Sequence, residues 1–245
     1  MFDKYCAYIE GCLAKGELSS FKSNDDYREI LEHVSYKQGY DYLQCILKNT
    51  KLTLGDVAEY CALNDKVGGP KLFSYPRVRC SPTSLRYLYH AHLALTHFKT
   101  FGTPMDFVEI GGGYGGLALA VDYLAKKYGI LDAIKSYTII DLTAPSKLQE
   151  EVLRQHTTTI PMKFVDAATY GKDISTTNMF LISNYAFSSF SEAIRTGYQD
   201  VLFPNVRHGF MVWNINPIYT FGFELRVEEE VPLTGSASYN RYVYF

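Results

Sequence analysis

The chain has 245 residues, 47% of them hydrophobic and 20% charged, enough for one large α/β domain or a core of about 140 residues with an added segment. A net charge of -2 and a pI near 6.3 exclude a global basic field drawing the protein onto nucleic acid or an anionic membrane. Five cysteines, Cys6, Cys12, Cys45, Cys61 and Cys80, form no C-x-x-C pair, which argues against a disulfide framework or zinc site and for a reducing compartment. No apolar run approaches the roughly 18 residues of a membrane span, and MFDKYCAYIEGCLAK lacks a signal-peptide layout. A cytoplasmic protein without membrane insertion is expected.

In chain order, the first hundred residues read as helical. Tyr5, Ile9 and Leu13 share a face, as do Tyr27, Leu31 and Val34 after a cap at Ser23 or Asn24. Tyr40, Leu43, Ile46 and Leu47 make a third stripe. Residues 68–82, with three prolines and two glycines, read as an irregular connection, and a further helix is expected over Ser84–Phe98. After Asp106 the rhythm alternates: strand 107–110, helix 115–127, strand 136–140, helix 144–156, strand 161–165, strand 178–183, helix 190–201, strand 208–214. Alternating strands and helices imply a Rossmann-like, doubly wound parallel sheet. The last two strand-like runs, YTFGFELRVEEE and SASYNRYVYF, leave no room for a crossover helix and predict a closing antiparallel hairpin. The expected architecture is a seven-stranded α/β domain over 101–245 and a helical cap over 1–100.

Residues 107–120, FVEIGGGYGGLALA, form a strand, a glycine turn and a helix start. Glu109, Gly111, Gly113 and Gly115 give E-x-G-x-G-x-G, the pattern of S-adenosylmethionine (SAM) methyltransferases. The same stretch satisfies G-x-G-x-x-G through Gly111, Gly113 and Gly116, so an NAD site is the first rival. Glycines let backbone and helix N-terminal amides approach a ligand. Asp141 ends the second strand, where a carboxylate accepts ribose hydroxyls. Asp166 ends the third, placed to accept from the adenine amino group while the Ala167 amide donates to the ring; as an alternative it caps the following turn. At the fourth strand end Ser183-Asn184-Tyr185 replaces the more usual acid, which argues against a divalent metal gripping the acceptor. The closing hairpin favours SAM over NAD.

The combination IGGGYGG, SNYAFS and the upstream SPTSLRYLYHAHLA resembles the sugar O-methyltransferase family, SAM-dependent enzymes of bacterial and viral glycan-building clusters. The likeness runs from about Gly69 to the C-terminus. It implies a sugar or glycan acceptor, with Gly111, Gly113, Tyr114, Asp141, Asp166 and Asn184 lining the SAM and acceptor cleft. Where that family carries Glu after the SNYAFS turn, this chain has Ser189, with Glu192 three residues later.

Between Lys66 and Met105 there is no Asp or Glu, while Lys66, Lys71, Arg77, Arg79, Arg86, Lys99, His90, His92 and His97 fall there. This basic stretch reads as a cap whose Arg86 meets the SAM carboxylate or an acceptor phosphate, as a nucleic-acid contact, or as a solvated face. Arg86 and His90 share a helical face, so His90 is the candidate general base for a sugar hydroxyl, or else a satisfied core histidine. Tyr114, Tyr185, Glu192 and Asn214 are candidates for orienting the acceptor. Methylation of RNA or another small molecule, and a non-catalytic SAM-fold partner, remain the alternatives. The N-terminal helices read as a lid.

Overall fold

The computed structural model describes residues 2–234 and 239–245. Its helices are α1 (Phe2–Lys15), α2 (Asp25–Ile30), α3 (Tyr36–Asn49), α4 (Leu54–Asp65), α5 (Pro82–Phe98), α6 (Gly116–Lys127), α7 (Thr143–Arg154) and α8 (Glu192–Val201). Its strands are β1 (Phe73–Tyr75), β2 (Val78–Cys80), β3 (Met105–Ile110), β4 (Ile134–Asp141), β5 (Met162–Asp166), β6 (Met179–Asn184), β7 (Val206–Trp213), β8 (Arg226–Glu229) and β9 (Arg241–Tyr244).

Seven strands form one sheet in the order β5-β4-β3-β6-β7-β9-β8. The first five are parallel, and β9 runs antiparallel to both β7 and β8. This is the expected doubly wound sheet with a closing hairpin, and from β3 to β7 the ends of its strands and helices fall within two residues of the sequence reading, while β8 starts seven residues into its expected run. Residues 235–238, which include the start of the SASYNRYVYF run, lie outside the described residues. Helices cover both faces of the sheet, so its central strands are apolar on both sides. Phe107, Tyr137, Phe180 and Phe210 pack toward α1–α7, while Val108, Ile140, Leu181 and Met211 pack toward α8 and the segment before β8.

The first hundred residues depart more from the pattern. A capping box joins Ser35 and Gln38 at the start of α3. That helix buries Tyr42, Leu43 and Ile46, while Tyr40 and Leu47 of the expected stripe are exposed. The register is set by Gly39, where any side chain would collide with Tyr75 and Pro82. Residues 68–82 are not wholly irregular, because β1 and β2 pair as a short hairpin turning at Arg77 with φ 65°. Helix α2, capped by Asn24, stops at Ile30. Leu31 and Val34 therefore lie beyond it rather than extending its stripe.

Candidate functional site

Parallel pairing brings the carboxyl ends of four strands to one edge, with Asp141 opposite Asp166 and Glu109 opposite Ile139 and Ile182. Strand β3 has β4 on one side and β6 on the other. The chain order reverses there, which opens the crevice where α/β sheets bind ligands. The glycine loop lies at this crevice. Gly111 and Gly113 have φ of 76° and 58°, a region that favours glycine. A side chain at Gly111 would also strike Ala186 of the turn after β6.

Asp141 is built into the loop. Its Oδ2 accepts from the Gly112 amide (2.9 Å) and from Gln149 Nε2 (2.8 Å), and its Oδ1 accepts from the Leu142 amide (2.8 Å). The Gly113 amide pulls on it as well, so the carboxylate ties the loop to the end of β4. Burial pushes this carboxyl up to about 6 against the pull of those donors. Glu109 lies deeper and accepts from Tyr137 Oη at 2.9 Å. Burial pushes it up to about 8, so at neutral pH it is mostly protonated. It is a neutral floor beneath the loop.

Asp166 is exposed, and it caps the turn that follows it. Its Oδ1 accepts from the Ala168 amide and its Oδ2 from Thr143 Oγ1, both at 2.8 Å. A hollow of about 120 Å³ opens beside it, lined by Thr143, Ser146, Phe164 and Val165 among others. A larger hollow of about 480 Å³, between Leu13, Leu18 and Glu151, lies between the end of α1 and α7, away from the glycine loop. Ala167 is half-buried beside Asp166.

The expected residues at β6 separate into two roles. Ser183 is buried; its Oγ donates to the Ile110 carbonyl (2.9 Å) and accepts from the Phe187 amide (3.0 Å), tying the turn to β3. Asn184 and Tyr185 are half-buried at the crevice, and Tyr185 has φ 63°. Behind them His90 is fully buried. Asn184 Nδ2 lies 3.1 Å from His90 Nδ1, and Tyr42 Oη lies 3.2 Å from its Nε2. Both ring nitrogens are engaged, which takes His90 out of direct reach of an acceptor. Burial and the neighbouring Arg86 hold its pKa well below the usual range.

Arg86 is 2% exposed, with its guanidinium 5.6 Å over the rings of Tyr87 and Tyr185. It donates to the Leu31 carbonyl at 2.9 Å. The Leu31 side chain meanwhile lies against the glycine loop, where a Cβ on Gly113 would be 3.3 Å from it. The segment after α2 thus covers the crevice at two points. Tyr114 turns away into the core, where Asn64 Nδ2 donates to its hydroxyl (2.8 Å) and Lys22 Nζ sits 3.8 Å over its ring. Gly115 caps α6 with φ 91°. Asn214 accepts from Ser188 Oγ at 2.6 Å, and Glu192 is exposed at the start of α8. The basic stretch splits: Arg86 and His90 are buried, while Lys66, Lys71, Arg77, Arg79 and Lys99 are exposed.

The sequence reading missed Glu230, Thr234, Tyr42, Leu31 and Gln149. Glu230 is buried without side-chain exposure and accepts from Tyr185 Oη, Thr234 Oγ1 and Asn240 Nδ2. Its only sequence signal is an acid closing a run of three at the end of the YTFGFELRVEEE segment.

No protein-family model matches the chain, and no curated protein matches it. Among solved structures, the chain is similar to a citrinin polyketide synthase CMeT domain at 11% identity and TM-score 0.47, covering 67% of this chain and 53% of that one. It is similar to the mitomycin 7-O-methyltransferase at 15% identity and TM-score 0.43, covering 67% and 54%. It is also similar to a SAM-dependent methyltransferase from Aquifex aeolicus at 16% identity and TM-score 0.41, covering 61% and 87%. This chain therefore spans about half the length of the first two.

Proposed function

We propose that the protein is a SAM-dependent methyltransferase that transfers a methyl group to a sugar hydroxyl. The observation that carries the cofactor reading is the Asp141 carboxylate, bonded to the Gly112 amide of the glycine loop at the sheet's switch point. The sheet closing antiparallel beyond β7 favours SAM over NAD. The residues fit the cofactor. Gly111 and Gly113 let the backbone pass beneath it, Asp141 accepts a ribose hydroxyl, Asp166 and the Ala167 amide meet adenine, and Arg86 takes the carboxylate. When bound, SAM supplies an electrophilic methyl on a cationic sulfonium. A neutral His90 and a mostly protonated Glu109 leave few fixed charges near it, apart from Arg86.

The sugar acceptor is taken from the sequence resemblance, and the half-buried Tyr185 ring at the crevice suits a sugar's apolar face. Alignment of the acceptor oxygen in a dry crevice supplies much of the rate, and the N-terminal helices serve as the lid. Titration calorimetry tests the cofactor: S-adenosylhomocysteine should bind and NAD should not, and the reverse would make the chain an oxidoreductase. Methyl-labelled SAM with pooled deoxyhexose glycosides, nucleotide sugars and RNA, read by mass spectrometry, tests the acceptor. Label on a sugar is expected. Label on RNA alone would replace the sugar reading, and binding without transfer to any acceptor would favour a non-catalytic partner.

A further inference from the structure

The hydrogen bonds behind Asn184 form a chain with a direction. Glu230 is approached by Tyr185 Oη, by Thr234 Oγ1 (2.8 Å), by the Thr234 amide (3.2 Å) and by Asn240 Nδ2 (2.7 Å). With four donors aimed at its two oxygens, Glu230 takes the acceptor role. Thr234 Oγ1 gives its single proton to Glu230, so toward Tyr42 Oη, 2.9 Å away, it accepts. Tyr42, its proton spent on Thr234, accepts from His90 Nε2. A neutral His90 has one N–H, which leaves Nδ1 as an acceptor for Asn184 Nδ2 at 3.1 Å. Reversing the Asn184 amide would put the Tyr42 proton on His90 and leave Tyr42 and Thr234 facing each other with none between them.

The amide is therefore held one way round. Its Oδ1 is shut from solvent and has no hydrogen-bond partner among the described residues. A buried acceptor left unpaired is destabilising. The cost falls at the end of β6, in the turn whose Ala186 abuts Gly111 of the glycine loop.

We propose that Asn184 Oδ1 recognises the methyl acceptor by taking a hydrogen bond from the O–H or N–H of the atom to be methylated; the carbon–sulfur bond of SAM would break as the new bond forms, and the displaced proton would pass to water, because an amide oxygen is too weak a base to keep it. Glu230, Thr234, Tyr42 and His90 are positioning residues that fix the amide for this task. The acceptor class follows from the lone pairs. A hydroxyl or an amine N–H fits, whereas a carboxylate or thiolate would set its own lone pairs against a carbonyl oxygen. The inference rests on the methyltransferase reading above.

Nitrogen-15 NMR of histidine-labelled protein tests the chain in the free protein, with the His90 signals assigned by His90→Gln. A neutral ring carrying its proton on Nε2 is expected, with loss of that single tautomer in Glu230→Gln. A proton on Nδ1 in the wild type would reverse the amide and overturn the proposal. In the transfer assay, a methyl glycoside, a primary amine, a carboxylic acid and a thiol are compared as acceptors. Label on oxygen or nitrogen of the first two is expected, and label on the carboxylate or sulfur overturns it. Asn184→Ala should lower kcat/KM about a hundredfold with S-adenosylhomocysteine affinity unchanged, and an unchanged kcat/KM overturns it. If the wild-type chain failed to bind S-adenosylhomocysteine, the methyltransferase reading would fall while the tautomer result stood.

Discussion

The two ends of the crevice are built differently. At the β5 end, Asp166 is exposed beside an open hollow, and its oxygens hold only the adjoining turn and Thr143. At the β6 end, Asn184, Tyr185 and Arg86 are held in a dense set of hydrogen bonds, Arg86 to the Leu31 carbonyl, Asn184 to His90 and Tyr185 to Glu230. The adenine side of the proposed site is accessible as the chain stands, whereas at the other end the segment after α2 contacts Arg86 and the glycine loop. A ligand that needs the open form binds with an affinity reduced by the fraction of molecules that are open. On the proposed function, the N-terminal helices would govern access to that end.

The largest expected effect is at the β6 end. Arg86→Ala should weaken S-adenosylhomocysteine or acceptor binding by about ten- to a hundredfold, the range of a charge-assisted hydrogen bond. Calorimetry showing both affinities unchanged would remove Arg86 from the site. Next in size, Leu31→Ala should loosen the cover and raise S-adenosylhomocysteine affinity by about tenfold through a larger open fraction. Surface plasmon resonance would show this as faster association, and an unaltered association rate would mean that the cover does not gate entry. At the open end, Asp166→Asn should cost only about threefold in the same affinity, the worth of one ordinary hydrogen bond. A loss matching that of Arg86→Ala would erase the distinction between the two ends.

A separate effect is on stability and comes from the floor of the loop. Glu109 holds its proton up to about pH 8 when folded, against a reference value of 4.5. Between those values the folded chain binds more protons than the unfolded one, so stability falls as pH rises, by about 1.4 kcal/mol per unit at most. Asp141, raised from 3.8 to about 6, adds a slope of the same sign over its own lower window. Below about pH 6.5 the histidines that burial holds low, His33 and His90 among them, act in the opposite sense, so thermal melts from pH 7 to 8 should show a falling Tm that flattens in Glu109→Gln. A wild-type Tm flat over that range would mean that Glu109 is ionised in the folded state.

The two halves of the chain were not equally legible. From residue 105 onward, period-2 strands, helical stripes and turn residues all point the same way, so the sheet and its closing hairpin could be read from local pattern. The strand-end positions Asp141, Asp166 and Asn184 followed, because parallel pairing brings strand ends to one edge. In the first hundred residues the stripe of α1 faces the core as read, with Tyr5 and Ile9 buried and Leu13 packed against them, but that of α3 does not. The face of α3 is set by the contact of Gly39 with Tyr75 and Pro82, a long-range packing fact without a local sign. Helix α4 did carry a signal, the capping box of Thr53 with Asp56, and the sequence reading passed it over.

Local chemistry therefore determined the fold class, the succession of strands and helices along the chain and the glycine turn with its strand-end acids. Side-chain period, turn propensity and the handedness of crossovers act over a few residues and are written in them. Tertiary structure alone decided which groups share the β6 end. It set His90 behind Asn184 rather than facing the crevice, brought Glu230 to Tyr185 across 45 positions of chain, and laid Leu31 over Gly113. Those placements depend on burial, which moves a pKa or removes a nitrogen from reach only once distant segments have packed around it.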